Sequence, residues 1–162
     1  MKDLNSLLES EIKEIYAAEK LLLETFPKIL EASTYKKLIK QLAKDLNKTE
    51  EQYTRIQKIC AQMEINPGST KSKILEEIIN QYNSEFNSNA SEEVRDSIIA
   101  SNTRKIKHYE ISVYETAYRY AKELKLTKTK KKLKKIREQK IKSEEKLLKI
   151  SKKKLIPKVY NS

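Results

Sequence analysis

Glu19, Glu110, Lys140 and Glu144 stand where the spacing of the chain calls for apolar side chains. Glu19 falls between Ile15 and Leu22, and Glu110 between Ile106 and Val113. Lys140 and Glu144 sit one turn apart between Ile136 and Leu147. Asn47 and Glu50 flank Leu46 and Thr49 in another stripe. Each lies near the middle of its segment. Taking an ionised group out of water costs several kcal/mol unless it is paired or holds an ion. Two chemistries follow: carboxylates that clamp metal ions, or carboxylates that close on lysines. Tyr16 and Tyr109 fall near the same level, as hydrogen-bond donors to those carboxylates or as ordinary amphipathic core.

The elements that must position these groups are helices. Leu4, Leu8, Ile12, Ile15, Leu22, Phe26 and Ile29 form one stripe over residues 3–31, and Ser33 or Thr34 can cap the next helix. The second stripe reads Ile39, Leu42, Leu46, Thr49, Tyr53, Ile56, Cys60 and Met63, up to Asn66-Pro67-Gly68-Ser69. A shorter amphipathic piece from Lys71 to about Phe86 places Ile74, Ile78 and Tyr82 on one side. Ser91 can cap a third long helix, 92–125, with the stripe Ile99, Thr103, Ile106, Glu110, Val113, Ala117, Tyr120 and Leu124. The fourth spans 129–154, and Pro157 is expected to stop it. The expected domains are therefore a bundle over 1–156 and a tail over 157–162.

Helices of such matched length, each about 40–50 Å, pack antiparallel when short turns join them. The insertion at 64–91 is long enough to cross the bundle once. This predicts an all-α, ferritin-like antiparallel four-helix bundle with a short extra helix in the crossover between helices 2 and 3. Antiparallel packing brings the four midpoints, and hence the ionisable groups, to one level.

Composition supports helices and narrows the chemistry. Among 162 residues there are 1 glycine, 3 prolines, 1 cysteine and 1 histidine. A single glycine leaves no phosphate-cradling loop, so nucleotide-dependent chemistry is not expected. The lone His108 excludes a histidine-rich metal site, and a structural role is its default. Cys60 cannot form an internal disulfide and reads as a buried, inert thiol. No apolar run is long enough for a membrane span, and MKDLNSLLES lacks a signal-peptide core, so a cytoplasmic protein with no membrane partner is expected. The formal charge of +12 lies in residues 128–162, which hold 15 Lys and Arg against 3 Asp and Glu. Lys130, Lys131, Lys132, Lys134, Lys135 and Arg137, followed by Lys152, Lys153 and Lys154, form either a solvated helix face or a weak polyanion or nucleic-acid contact.

Tyr16-Ala17-Ala18-Glu19-Lys20, Glu93-Val94-Arg95-Asp96 and Lys107-His108-Tyr109-Glu110-Ile111 resemble the YciE/YciF family of ferritin-like bacterial stress proteins, whose members read YSAEK, EVRD and EHYEI at similar spacing. The resemblance covers residues 4–151. It implies a bundle, often a homodimer, with carboxylates and histidines arranged as in di-iron proteins. The chain departs from that pattern at the metal. A di-iron bundle takes a Glu from each of two helices and a Glu-x-x-His pair from each of the others. Here the second helix reads Asn47-Lys48-Thr49-Glu50, Lys107 replaces a Glu in the third, and Gln139, Lys140 and Glu144 stand in the fourth. Glu19, Glu50, Glu110 and Glu144, with His108 as a further donor, would be the remnant site for iron or manganese. An ammonium cannot ligate at neutral pH and repels a cation. Lys107 and Lys140, together with Asn47, are therefore expected to replace the metal's charge.

Three functions are weighed: a non-catalytic stress-type bundle with an ion-paired core and no cofactor; a surviving di-iron or di-manganese oxidase, ferroxidase or peroxide-consuming protein; and a polyanion binder using the basic C-terminal helix.

Overall fold

The computed structural model describes residues 3–161, so residues 1–2 of the expected bundle domain and residue 162 of the expected tail lie outside it. Among the described residues the chain forms α1 (Leu4–Ala32), α2 (Lys36–Gln62), α3 (Lys73–Glu85), α4 (Glu92–Glu123), α5 (Thr127–Ile150), a π-helical turn (Ser151–Leu155) and α6 (Ile156–Asn161). The four long helices pack in the cyclic order α1, α2, α5, α4, and every neighbouring pair is antiparallel. Because α2 and α4 run in the same direction, the connection between them must travel the length of the bundle. It carries α3, which packs on α4. One long crossover makes this a ferritin-like bundle.

The core divides into two apolar halves. One is built around Leu8, Ile12, Ile15, Ile56, Ile59, Ala117, Leu133 and Ile136. The other gathers Leu22, Phe26, Ile29, Leu38, Leu42, Ile99, Ile106 and Leu147. Burying a Leu, Ile or Phe side chain is worth about 1.5–3 kcal/mol, so these halves supply the driving force. The ionisable residues form the layer between them.

The helix ends show how little the chain relies on glycine. Glu64 and Lys125, with φ of 54° and 58°, take the left-handed position after α2 and α4 that glycine normally fills. Ser91 Oγ caps α4 as expected, accepting from the Val94 amide at 3.4 Å. The start of α2 differs. Ser33 Oγ donates to the Ile29 carbonyl at 2.9 Å, and Thr34 supplies no cap. Asp96 instead accepts from the Thr34 and Tyr35 amides, both at 2.9 Å, and from the Thr34 hydroxyl at 2.7 Å. Arg95 donates to the Ser88 and Ala90 carbonyls at 2.9 and 2.8 Å, closing the loop before α4. The Arg95-Asp96 pair thus holds two chain reversals together.

Three expectations are corrected. In α2 the buried residues are Leu38, Gln41, Leu42, Asp45, Thr49, Gln52, Ile56, Ile59 and Cys60. Leu42, Thr49, Ile56 and Cys60 of the predicted stripe are therefore buried, while Ile39, Leu46 and Tyr53 give way to neighbours one residue earlier. Two adjacent registers satisfy three-four spacing there, sharing positions 42, 49 and 56. Apolar scoring favours the one that avoids Asp45 and Gln52. In α3 the expected Tyr82 is buried and Ile78 packs against the core, but Leu75 takes the place of Ile74, which is 61% exposed. Finally, Pro157 does not stop the last helix: the π turn relieves the backbone ahead of it, and helix resumes at Ile156 with Pro157 in its first turn, where no amide is needed.

Candidate functional site

Halfway up the bundle, between the apolar halves, the Lys140 ammonium lies between two carboxylates and an amide. It contacts Glu19 Oε1 of α1 at 2.8 Å, donates to Glu110 Oε1 of α4, and donates to Gln52 Oε1 of α2 at 3.0 Å. One side chain from α5 therefore ties together all four long helices. Tyr114 donates its hydroxyl to the same Glu19 oxygen at 2.7 Å. Lys107 Nζ lies 3.7 Å from Glu110 Oε2 and 5.2 Å from the Phe26 ring centre. Glu19, Lys107, Glu110 and Lys140 are each at most 2% exposed. Two carboxylates and two ammoniums make a neutral set, which is what a low-dielectric layer requires.

The electrostatics follow from burial and proximity. Burial raises the Glu19 carboxyl above its ordinary range; Lys140 opposes this and Glu110 adds to it. Burial alone would lower the Lys140 ammonium, but Glu110 and Glu19 together outweigh it and hold the proton more firmly than usual. Burial, reinforced by the negative charge of Glu19, raises the Tyr114 hydroxyl well above its ordinary value. Tyr114 is thus a fixed donor. One oxygen on each acid, Glu19 Oε2 and Glu110 Oε2, has no hydrogen-bond partner.

Around this centre the layer is polar but closed. Asp45 Oδ1 accepts from Gln41 at 2.9 Å and from Ser143 at 2.7 Å. Gln52 also bonds Gln139 at 3.1 Å. Glu144 is buried, but turns to the rim between α4 and α5. There it accepts from Arg104 at 2.6 Å and lies 3.1 Å from His108 Nε2.

The expected residues therefore separate into groups. Glu19, Glu110, Lys107 and Lys140 meet. Glu144 and His108 meet each other at the rim, not at the centre. Asn47 and Glu50 are exposed on α2, where the shift in register turns them outward. Tyr16 pairs with Tyr53, hydroxyl to hydroxyl at 3.0 Å. Tyr109 donates to Glu14 and lies 2.8 Å from Ser72, on the outer side of α1 and α4. Cys60 is buried, and burial raises its thiol pKa, away from the reactive thiolate. Residues missed in the sequence are Gln52, Asp45, Tyr114 and Arg104. Tyr114 had a signal, being the next position to Val113 in a stripe that tolerates either.

The donor set does not fit a di-metal centre. Such a centre needs bridging carboxylates and imidazoles converging on ions. Here an ammonium stands between the two central carboxylates, and the His108 ring is 63% exposed. Among the described residues no three His, Cys, Asp or Glu side chains converge as metal ligands.

The basic residues 130–137 do not share a face. Lys132 donates to Gln62 at 3.1 Å, Lys134 lies 3.9 Å from Glu138, and Arg137 pairs with Glu115 and stands 4.8 Å over the Tyr118 ring. Among the described residues no helix is long and apolar enough to cross a membrane.

Comparison with known proteins is consistent with this geometry. The model of a family described as a domain of unknown function, DUF892, matches residues 3–158. The crystal structure of the Escherichia coli stress protein YciF is similar at a TM-score of 0.88 and 27% identity, over 93% of this chain and 96% of that one. YcfI from Rhodopseudomonas palustris has the same fold, with a TM-score of 0.86 at 24% identity over 91% and 94% of the two chains. No curated protein matches the sequence.

Proposed function

The chain belongs to the DUF892 family, and we propose that it works as a non-catalytic, stress-type bundle whose di-metal centre is replaced by an ion cluster. The observation that carries this reading is the Lys140 ammonium, seated between Glu19 and Glu110 with Gln52 as a third partner. A single fixed positive charge, with Lys107 beside it, balances the carboxylates without an exchangeable ion. The helices are then held at mid-height whatever the metal supply, a suitable property for a protein acting through its surface or as a homodimer under stress. The similarity to a stress protein supports that setting.

The test is metal analysis of protein purified from iron- or manganese-supplemented medium. The expected result is well below one equivalent per chain, a melting temperature unmoved by chelator, and no iron-dependent consumption of oxygen or peroxide. About two equivalents per chain, lost with stability on chelation, would overturn the reading.

A further inference from the structure

Helices α2 and α5 form the face opposite α1 and α4, and basic residues collect there. Lys44 and Lys48 on α2 and Lys142 and Lys146 on α5 line one recess of about 160 Å³, with Gln41, Asp45, Gln139 and Ser143 completing its walls. Of the four lysines only Lys48 has an acidic partner within 4 Å, Glu51 at 3.2 Å on the exposed surface. Among the described residues Lys44, Lys142 and Lys146 have none. Asp45 is the only acid in the recess and is 3% exposed, so the outward-facing charge is positive.

The row extends beyond the recess. Gln52 and Gln62 both bond to α5, and Arg55 lies between them in helical phase on the same edge. One of its guanidinium nitrogens, Nη1, is buried without a hydrogen-bond partner. Lys135, exposed and without an acidic partner among the described residues, continues the α5 edge by seven-residue spacing from Lys142. Across the molecule, α3 carries Glu76, Glu77 and Glu85 against Lys73 alone. The protein is therefore electrically two-faced, and a polyanion would be steered to one side.

We propose that the α2–α5 face binds double-stranded nucleic acid through its phosphates. Lys128, Lys135, Lys142 and Lys146 follow one edge of α5 over about 27 Å at 1.5 Å per residue. A duplex presents a phosphate charge every ~1.7 Å of axis, so lysines along one helix edge meet several of them at once. The recess wall contains no aromatic side chain, which removes the stacking that single strands require. A membrane surface fits less well, because the large exposed hydrophobics Ile74, Leu148, Ile156 and Tyr160 lie off this wall. Phosphate contacts carry no sequence information, so binding through them is independent of sequence.

The experiment is a titration of the full chain with a 25-base-pair fluorescent DNA duplex across a salt series. As four phosphate contacts, the recess lysines contribute about −4 to the log–log salt slope. Replacing Lys44, Lys48, Lys142 and Lys146 together by Gln should make the slope shallower by about that amount and weaken low-salt binding about tenfold or more. Removing the same charge elsewhere, with Gln at Lys20, Lys28, Lys71 and Lys122, should leave the slope unchanged. The proposal fails if no duplex is retained at low salt, if both quadruple variants lose the slope equally, or if phosphatidylserine vesicles or polyglutamate are bound in preference to the duplex.

Discussion

Glu19 and Glu144 lie at about the same height of the bundle, and each has a cation within hydrogen-bonding distance, Lys140 at 2.8 Å and Arg104 at 2.6 Å. Their surroundings are opposite. The Glu19–Lys140 pair is 1% exposed on both sides, with Glu110, Tyr114 and Gln52 closing over it. Glu144 reaches a partner, Arg104, that is 29% exposed, and the neighbouring His108 ring is 63% exposed. Distance alone would rank the two pairs as equals. What separates them is the alternative open to each group when its partner is lost. At the rim water takes over; in the centre there is no substitute.

The largest test of that difference is Lys140→Met. It leaves two buried carboxylates facing each other and should cost about 3–5 kcal/mol in denaturant unfolding. A loss below about 1 kcal/mol would mean that the layer admits water. Next comes Tyr114→Phe, which removes a hydrogen bond to a charged oxygen and should cost about 1.5–3 kcal/mol. Glu144→Gln at the rim should stay within about 1 kcal/mol, and its effect should shrink as salt is added. His108→Ala should be smallest, within about 0.5 kcal/mol. If the rim variants proved as damaging as the central ones, the distinction between interior and rim would collapse.

A pH series sharpens the same contrast. In the fold the Lys140 ammonium titrates above the ordinary 10.5. Its stabilisation is therefore fully present below that value and is lost as pH rises through the folded pKa. The stability gap between the parent protein and Lys140→Met should hold from neutral to mildly alkaline pH and close only beyond about 10.5. The corresponding gap for Glu144→Gln should show no alkaline step of this kind, because its partner is a guanidinium and not an ammonium.

How legible the site was depended on which helix carried each residue. Glu19, Glu110 and Lys140 sit between apolar neighbours at three-four spacing, so each stood out as a charge in an apolar row. Lys107 emerged only by comparison with a family pattern. Gln52 and Asp45 were invisible because α2 has two registers one residue apart, and the buried one is the more polar. Apolar periodicity cannot favour a face whose middle third is Asp45, Thr49 and Gln52. For the same reason Asn47 and Glu50 were expected inside and lie outside. Pro157 misled differently: its cost in a helix interior vanishes in a first turn, and only the π turn before it creates that first turn.

By itself the sequence determined four long helices, the breaks between them, the single crossover and a charged layer at mid-height. These depend on local propensity and on spacing along one chain, which fold with little reference to the rest of the molecule. Tertiary structure alone decided which charges became partners. An ion pair depends on the rotation of two helices about their own axes, and one residue of phase turns a side chain by about 100°. That rotation was set by packing the apolar halves above and below the layer. Lys140 was thereby brought between Glu19 and Glu110, while Glu144 was turned to the rim and Glu50 to the solvent.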